Sequence, residues 1–259
     1  MFGRFKKKNG KENSSRVHVM LAAHSSKGGR QRNEDAYGYW QYEDKGICVL
    51  ADGLGGHGNG DFASQTAVRS IVESAQRDFS SSMEKLLLTA DEAVRGEQKK
   101  DPSKDAMRTT VVVLRYDVQK GKIEYAHAGD SRMYLFRKGD LLFRTKDHSM
   151  SQLAVDMGQI AEEKLRSHED RNKVTKVLGG SEELVLKEGC FGEEKLQRGD
   201  AFLLCSDGVW EYVYDREMEM ELAEAQTPEE WLHGMEQRLL ARAREKNDNY
   251  TFICGIAGE

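Results

Sequence analysis

Four short acidic motifs stand where apolar runs begin or end. Asn33-Glu34-Asp35 precedes the run that opens at Ala36, and Asp52-Gly53 follows Ile47-Cys48-Val49-Leu50-Ala51. Asp207-Gly208 follows Ala201-Phe202-Leu203-Leu204-Cys205-Ser206, and Asp248-Asn249 precedes Tyr250-Thr251-Phe252-Ile253-Cys254-Gly255-Ile256. A carboxylate at the tip of a buried strand can be aimed at a shared point without entering the core. Several such tips can hold hard cations through oxygen alone. One Asp-Gly at a strand end is usually a turn; its repetition along the chain selects the metal reading. Two divalent ions bridged by a carboxylate can activate water and stabilise an in-line displacement at phosphorus. Oxygen-only ligands favour Mg²⁺ or Mn²⁺ over Zn²⁺. Arg30 stands four residues before Glu34, and its planar fork suits two phosphate oxygens. Alone it would read as a surface loop charge; beside Glu34-Asp35 it is a phosphate-binding candidate.

Carboxylates so placed need a scaffold of strands. Residues 17–23, 36–41 and 46–51 read as strands. Ala63, Ala67, Ile71 and Ala75 recur at i, i+4 intervals and predict a helix over 61–77; Met83, Leu87, Ala90 and Val94 predict another over 83–97. A β-branched run over 109–116 returns through Gly121 into 122–128. Gly129-Asp130-Ser131 turns the chain into 132–136, and Lys138-Gly139-Asp140 into 141–145, an expected antiparallel meander. Ser149 with Gln152 forms a capping-box signature with Gly158 at the far end, and 171–178 reads as a short helix stopped by Gly179-Gly180. Strands are expected at 183–190 and 201–206. Thr227-Pro228-Glu229-Glu230 opens a long helix, and 250–257 forms the last strand. Hairpin strands with paired helices predict an α+β fold of antiparallel sheets covered by helices.

The 259 residues carry 39 basic against 44 acidic side chains, which excludes the global basic field that recruits nucleic acid. No apolar run approaches the roughly 20 residues of a membrane helix, and the N-terminus lacks the apolar stretch of a signal peptide. The four cysteines show no C-x-x-C spacing, so buried free thiols in a reducing cytoplasm are expected. Residues 1–16 are basic and without period and predict a disordered tail; Phe2 and Phe5 beside Lys6-Lys7-Lys8 offer contact with an anionic membrane surface as the alternative. Residues 17–259 read as one folded domain.

Gly53-Leu54-Gly55-Gly56-His57-Gly58 satisfies G-x-G-x-x-G, and Glu73 lies 20 residues beyond Gly53, as in a dinucleotide-binding fingerprint. The context argues against that function. Asp52 at the mouth of the loop would repel a pyrophosphate, and two helices then hairpins follow where a second parallel strand should stand. No Gly-Lys-Ser/Thr follows to make a Walker loop. The glycines better suit close approach of backbone to a metal, with a carbonyl as ligand.

The chain resembles the metal-dependent serine/threonine protein phosphatases, the PPM or type 2C family, in its compact bacterial form. The resemblance is carried in order by Gly28-Gly29-Arg30-Gln31-Arg32-Asn33-Glu34-Asp35, Ala51-Asp52-Gly53-Leu54-Gly55-Gly56-His57, Ala128-Gly129-Asp130-Ser131-Arg132 and Lys146-Asp147-His148-Ser149. Residues 172–179, Leu204-Cys205-Ser206-Asp207-Gly208-Val209-Trp210 and Asp248-Asn249-Tyr250-Thr251 complete it. It implies a four-layer α-β-β-α sandwich of two packed antiparallel sheets flanked by helix pairs. It further implies that Asp52 bridges two Mn²⁺ or Mg²⁺ ions, with the Gly53 carbonyl, Asp207 and Asp248 completing the core set. Glu34 and Asp35 act through waters, Arg30 takes the phosphate, and Asp130 helps bind a weaker third ion. Asn249, Asp147 and His148 are supporting residues, and 150–171 is a mobile flap. The implied reaction is hydrolysis of phosphoserine or phosphothreonine by metal-activated water, without a phosphoenzyme. The implied partners are phosphoproteins and a cognate serine/threonine kinase, with the enzyme a monomer. Two departures stand out. Leu54 replaces the histidine that animal members carry after Asp-Gly, and Ser167-His168-Glu169-Asp170-Arg171-Asn172 lacks the proline that commonly follows the flap histidine. His57 and His148 are candidate acids, each better read as a loop or capping residue. A metal-free regulatory module is the competing reading, opposed by the intact Asp52, Asp207 and Asp248.

Overall fold

Continuous apolar runs, rather than alternating ones, mark the central strands, because both of their faces are covered. The computed structural model describes residues 17–54, 59–180, 184–187 and 189–258. In chain order its strands are β1 (His18–Ser26), β2 (Asp35–Tyr42), β3 (Lys45–Asp52), β4 (Val111–Asp117), β5 (Lys122–Ala128), β6 (Arg132–Arg137), β7 (Asp140–Arg144), β8 (Phe191–Lys195), β9 (Ala201–Cys205) and β10 (Tyr250–Gly258). The helices are α1 (Gly60–Arg77), α2 (Met83–Lys100), α3 (Met150–Asp156), α4 (Asp207–Trp210), α5 (Asp215–Glu224) and α6 (Pro228–Arg242). One sheet runs β1-β10-β9-β6-β7 and the other β2-β3-β4-β5-β8. Among the described residues every strand pair is antiparallel. A dinucleotide fold needs a parallel βαβ unit, so that reading is removed.

The layers follow from side-chain alternation. On β3, Ile47, Val49 and Ala51 face Ala67, Ile71, Leu87 and Val94 of α1 and α2. Cys48 and Leu50 face the other way, into the inter-sheet core with Leu135, Phe202, Leu204 and Ile253. On the far side Leu203, Phe252 and Cys254 pack beneath Trp210, Trp231 and Met235 of α4 and α6. Each fully buried valine, leucine, isoleucine, phenylalanine or methionine among them, removed from water, stabilises the sandwich by about 1.5–3 kcal/mol. Helix starts obey the expected chemistry. The Thr227 side chain accepts from Glu230 N with Pro228 behind it, and Ser149 accepts from Gln152 N. All four cysteines are free and buried.

Three expectations need correction. Residues 171–178 are not a helix: Val174 and Leu178 make isolated antiparallel bridges to Ser149 and Thr109. β-Branched Val174, Thr175 and Val177 suit that extended path better than a helix. The strand expected over 183–190 is absent from its described residues, and pairing with β5 begins instead at Phe191. The meander is also divided, since β4-β5 belong to one sheet and β6-β7 to the other. Gly129-Asp130-Ser131 therefore carries the chain from sheet to sheet. Gly129 has φ +114°, and a Cβ there would stand 2.5 Å from the Thr110 side chain, so only glycine makes this crossing without strain. The predicted tail at 1–16, and Gly55, Gly56, His57 and Gly58, lie outside the described residues.

Candidate active site

The crossing places Asp130 beside the ends of β3, β9 and β10. One cavity of about 440 Å³ is lined by Arg30, Glu34, Asp52, Gly53, Leu54, Asp130, Asn172, Val174, Asp207, Asp248 and Asn249. The sequence candidates thus converge from distant segments. Asp52 ends β3, Asp207 opens α4 directly after β9, and Asp248 precedes β10. Gly53 donates its N–H to Glu34 O at 3.1 Å, and a Cβ would come within 2.2 Å of Gly60 O. No other residue permits that approach of three backbone segments.

Asn249 organises the loop that carries Arg30. Its Nδ2 donates to Lys27 O and Arg32 O, both at 2.9 Å, and its Oδ1 accepts from Glu34 N at 2.8 Å. Arg30 Nη2 in turn donates to Asp248 Oδ2 at 2.6 Å. Asp35 lies beneath the cavity rather than on its wall, paired in register with Asp52. Its Oδ2 accepts from Ser206 Oγ at 2.8 Å and Thr251 Oγ1 at 2.7 Å, while its buried Oδ1 has no partner. Asp147 also lies behind the wall, where its two oxygens take the Arg132 fork at 2.7 Å each. His148 sits behind Gly129, whose N–H it accepts at Nδ1 (3.2 Å), and stacks on His127 with centroids 4.4 Å apart.

Sequence reasoning missed the hydroxyls that hold these acids. Thr109 Oγ1 donates to Asp52 O at 2.8 Å, Asp52 N donates to Thr110 Oγ1 at 3.1 Å, and Thr110 Oγ1 meets Ser131 Oγ at 2.7 Å. It also missed Arg132 and Trp210. The doubled threonine heading the run into β4 was the available signal, since polar side chains there must find partners.

The electrostatics are those of a crowded anion cluster. Burial raises the Asp52 carboxyl well above its usual range, reinforced by Asp35, Asp207, Asp130 and Asp248. Asp207 is raised in the same way, by burial first and then by Asp130, Glu211 and Asp248. Burial followed by Asp147 pushes Asp130 up to about 7, and burial pushes Asp35 up to about 6. Glu34 is raised by burial, Asp61 and Asp248. Burial and neighbouring His127 hold His148 neutral, with its pKa lowered to about 3. Among the described residues no three acidic, histidine or cysteine side chains close on one point as they stand; the acids are set around the cavity instead. The donor set still fits hard divalent cations. It is all oxygen, its members repel one another, and a backbone carbonyl can join it at Gly53.

Residues 22–246 match the protein phosphatase 2C family model, and the chain belongs to that family. It is 32% identical over 208 residues to the serine/threonine protein phosphatase PstP of Mycobacterium tuberculosis, covering 78% of this chain and 38% of that protein. The chain thus spans under two fifths of that relative's length. It is 31% identical over 205 residues to the serine/threonine phosphatase Stp of Listeria welshimeri, covering 73% of this chain and 77% of the relative. The crystal structure of the PstP catalytic domain in complex with two manganese ions superposes with a TM-score of 0.77 at 25% identity, over 94% of this chain and all of that one.

Proposed function

We propose that this chain is a metal-dependent phosphatase of phosphoserine and phosphothreonine in proteins. The observation that carries the reading is the convergence of Asp52, Asp130, Asp207 and Asp248 with Arg30 on one cavity, in a chain of this family. Asp52, the Gly53 carbonyl, Asp207 and Asp248 would hold two Mn²⁺ or Mg²⁺ ions, and Asp130 would serve a weaker third. When bound, such ions supply an activated water and neutralise charge at phosphorus.

The chain's own residues do the rest. Arg30 is the one cation among the described residues lining the cavity, and its fork orients two phosphate oxygens. Asn249 fixes the loop beneath it. Glu34 and Asp35 flank Asp52, and the Ser206 and Thr251 hydroxyls hold Asp35 in place. Leu54 and Val174 form the apolar part of the wall, where a side chain's methylene or methyl can rest. His148 is half-buried behind Gly129 and outside the cavity, with its pKa lowered to about 3, so it does not donate the leaving-group proton. The same reading makes phosphoproteins the substrates, with a serine/threonine kinase as their source and a monomeric, cytoplasmic enzyme. Among the described residues no helix is long and apolar enough to cross a membrane. A phosphothreonine peptide assayed with Mn²⁺ and with EDTA tests the function. Phosphate release with Mn²⁺ and none with EDTA is expected; equal release in both would overturn it.

A further inference from the structure

On the reading that Asp130 and Asp207 serve one ion cluster, we propose that Trp210 is a positioning residue. It fixes the spacing of these two acids and so sets the affinity of the weaker, Asp130-dependent ion. Trp210 lies three residues after Asp207, in the same short helix α4. Its indole is 1% exposed, and its Nε1–H donates to the backbone carbonyl of Asp130 at 2.9 Å. The flat of the same ring carries the Arg132 guanidinium, 3.6 Å from the ring centroid. Arg132 is held from behind by Asp147 through both oxygens and by Tyr134 Oη at 3.1 Å. One rigid ring thus grips both ends of the Asp130-Ser131-Arg132 turn, by a polar bond at one end and a cation–π contact at the other.

The two acids carry like charge when ionised, and Asp130 weighs on Asp207. A flexible joint would let the Asp130 turn relax away from Asp207. An indole has no internal torsion beyond the two that set its plane, so it transmits position without slack. Volume alone does not explain the choice of residue, because phenylalanine would fill the core and still stack on Arg132. What tryptophan adds is the bond to Asp130. Trp231 supplies a matched control within the same chain. It is fully buried, and its Nε1–H donates to Met218 O at 3.0 Å, in the helical layer away from the cavity. The bond chemistry is the same; only the target differs.

The test compares wild type, Trp210→Phe, Trp231→Phe and Asp130→Ala by calorimetric Mn²⁺ titration and urea unfolding. Asp130→Ala should lose the weak binding step and keep the tight ones. Trp210→Phe should raise the dissociation constant of the weak step roughly three- to tenfold, the worth of one hydrogen bond, leaving tight binding within about twofold. Trp231→Phe should lose comparable stability and leave both steps unchanged. A weak step that is unaltered in Trp210→Phe but lost in Asp130→Ala overturns the positioning role. A weak step that survives Asp130→Ala removes the assignment beneath it, and the two failures are thereby distinct. The wild-type protein gives a second readout that needs no variant to fold. With ¹⁵N-labelled indoles and Mg²⁺, the Trp210 N–H signal should move across the weak step while that of Trp231 stays still; a stationary Trp210 signal overturns the proposal.

Discussion

Arg30 and Asp248 meet at 2.6 Å at the edge of the cavity, which joins the residue proposed for phosphate recognition to one proposed for metal binding. The two roles separate kinetically. A charge-assisted bond to a substrate phosphate contributes on the order of 1.5–3 kcal/mol, or roughly one to two decades in KM. Arg30→Ala should therefore raise KM for a phosphothreonine peptide by that amount and leave the Mn²⁺ titration in place. Arg30→Lys should recover part of the loss, since an ammonium keeps the charge and not the fork. An unchanged KM, or a loss that extra Mn²⁺ restores, would show that Arg30 does not hold the phosphate. Asp52, Asp207 and Asp248 were legible in the sequence because each stands at the end or start of a largely buried strand, where a carboxylate has few other uses. Thr110, Ser206 and Thr251 were not, because a hydroxyl inside an apolar run is ordinary until its partner is seen.

Among the elements, the strands other than β8 and the α1, α2 and α6 helices were legible from period and caps, while 171–178 was misread and the strand expected over 183–190 was misplaced. Val174, Val177 and Leu178 fall at i, i+3 and i+4, which mimics a helical stripe. Only the bridges to Ser149 and Thr109, across long stretches of sequence, decide for extended backbone. The split of the meander was invisible for a related reason, since a Gly-Asp-Ser turn between apolar runs looks the same within a sheet and between two. The segment after β7 is pinned to β5 by the stacked His127 and His148 rings, and this contact has a pH consequence. His148 has its folded pKa lowered to about 3, so in acid the unfolded chain binds a proton that the folded chain does not. Stability from this group is complete above the ordinary histidine pKa of about 6.5 and declines as pH falls below it. Between pH 7 and 5 the loss should reach about 2 kcal/mol. Urea unfolding of wild type and His148→Gln without added metal should show the difference, with the variant the flatter over that range. Parallel pH profiles would refute a histidine that stays neutral in the folded chain.

At the scale of the molecule, the sandwich brings together residues that the chain keeps far apart. The strand ends of both sheets open on one side, and the sheet crossing at Gly129 delivers Asp130 to the same place. Among the described residues every strand pair is antiparallel, so the chain after β3 does not run into the parallel βαβ unit that a dinucleotide site requires. The central claim is that the converged acids form a two-ion hydrolytic centre. Asp52 tests it most directly, because it is proposed to touch both ions and has Asp35, Asp207, Asp130 and Asp248 around it. Removing one charge from a mutually repelling cluster should not weaken the metal-free fold, yet a bridging ligand has no substitute within reach. The decisive measurement is kcat of Asp52→Asn on a phosphothreonine peptide at saturating Mn²⁺, with unfolding followed in the absence of metal. The expected result is a loss of at least about a thousandfold, some 4 kcal/mol in the barrier, in a protein no less stable than wild type without ions. Turnover within about threefold of wild type would contradict the two-ion centre.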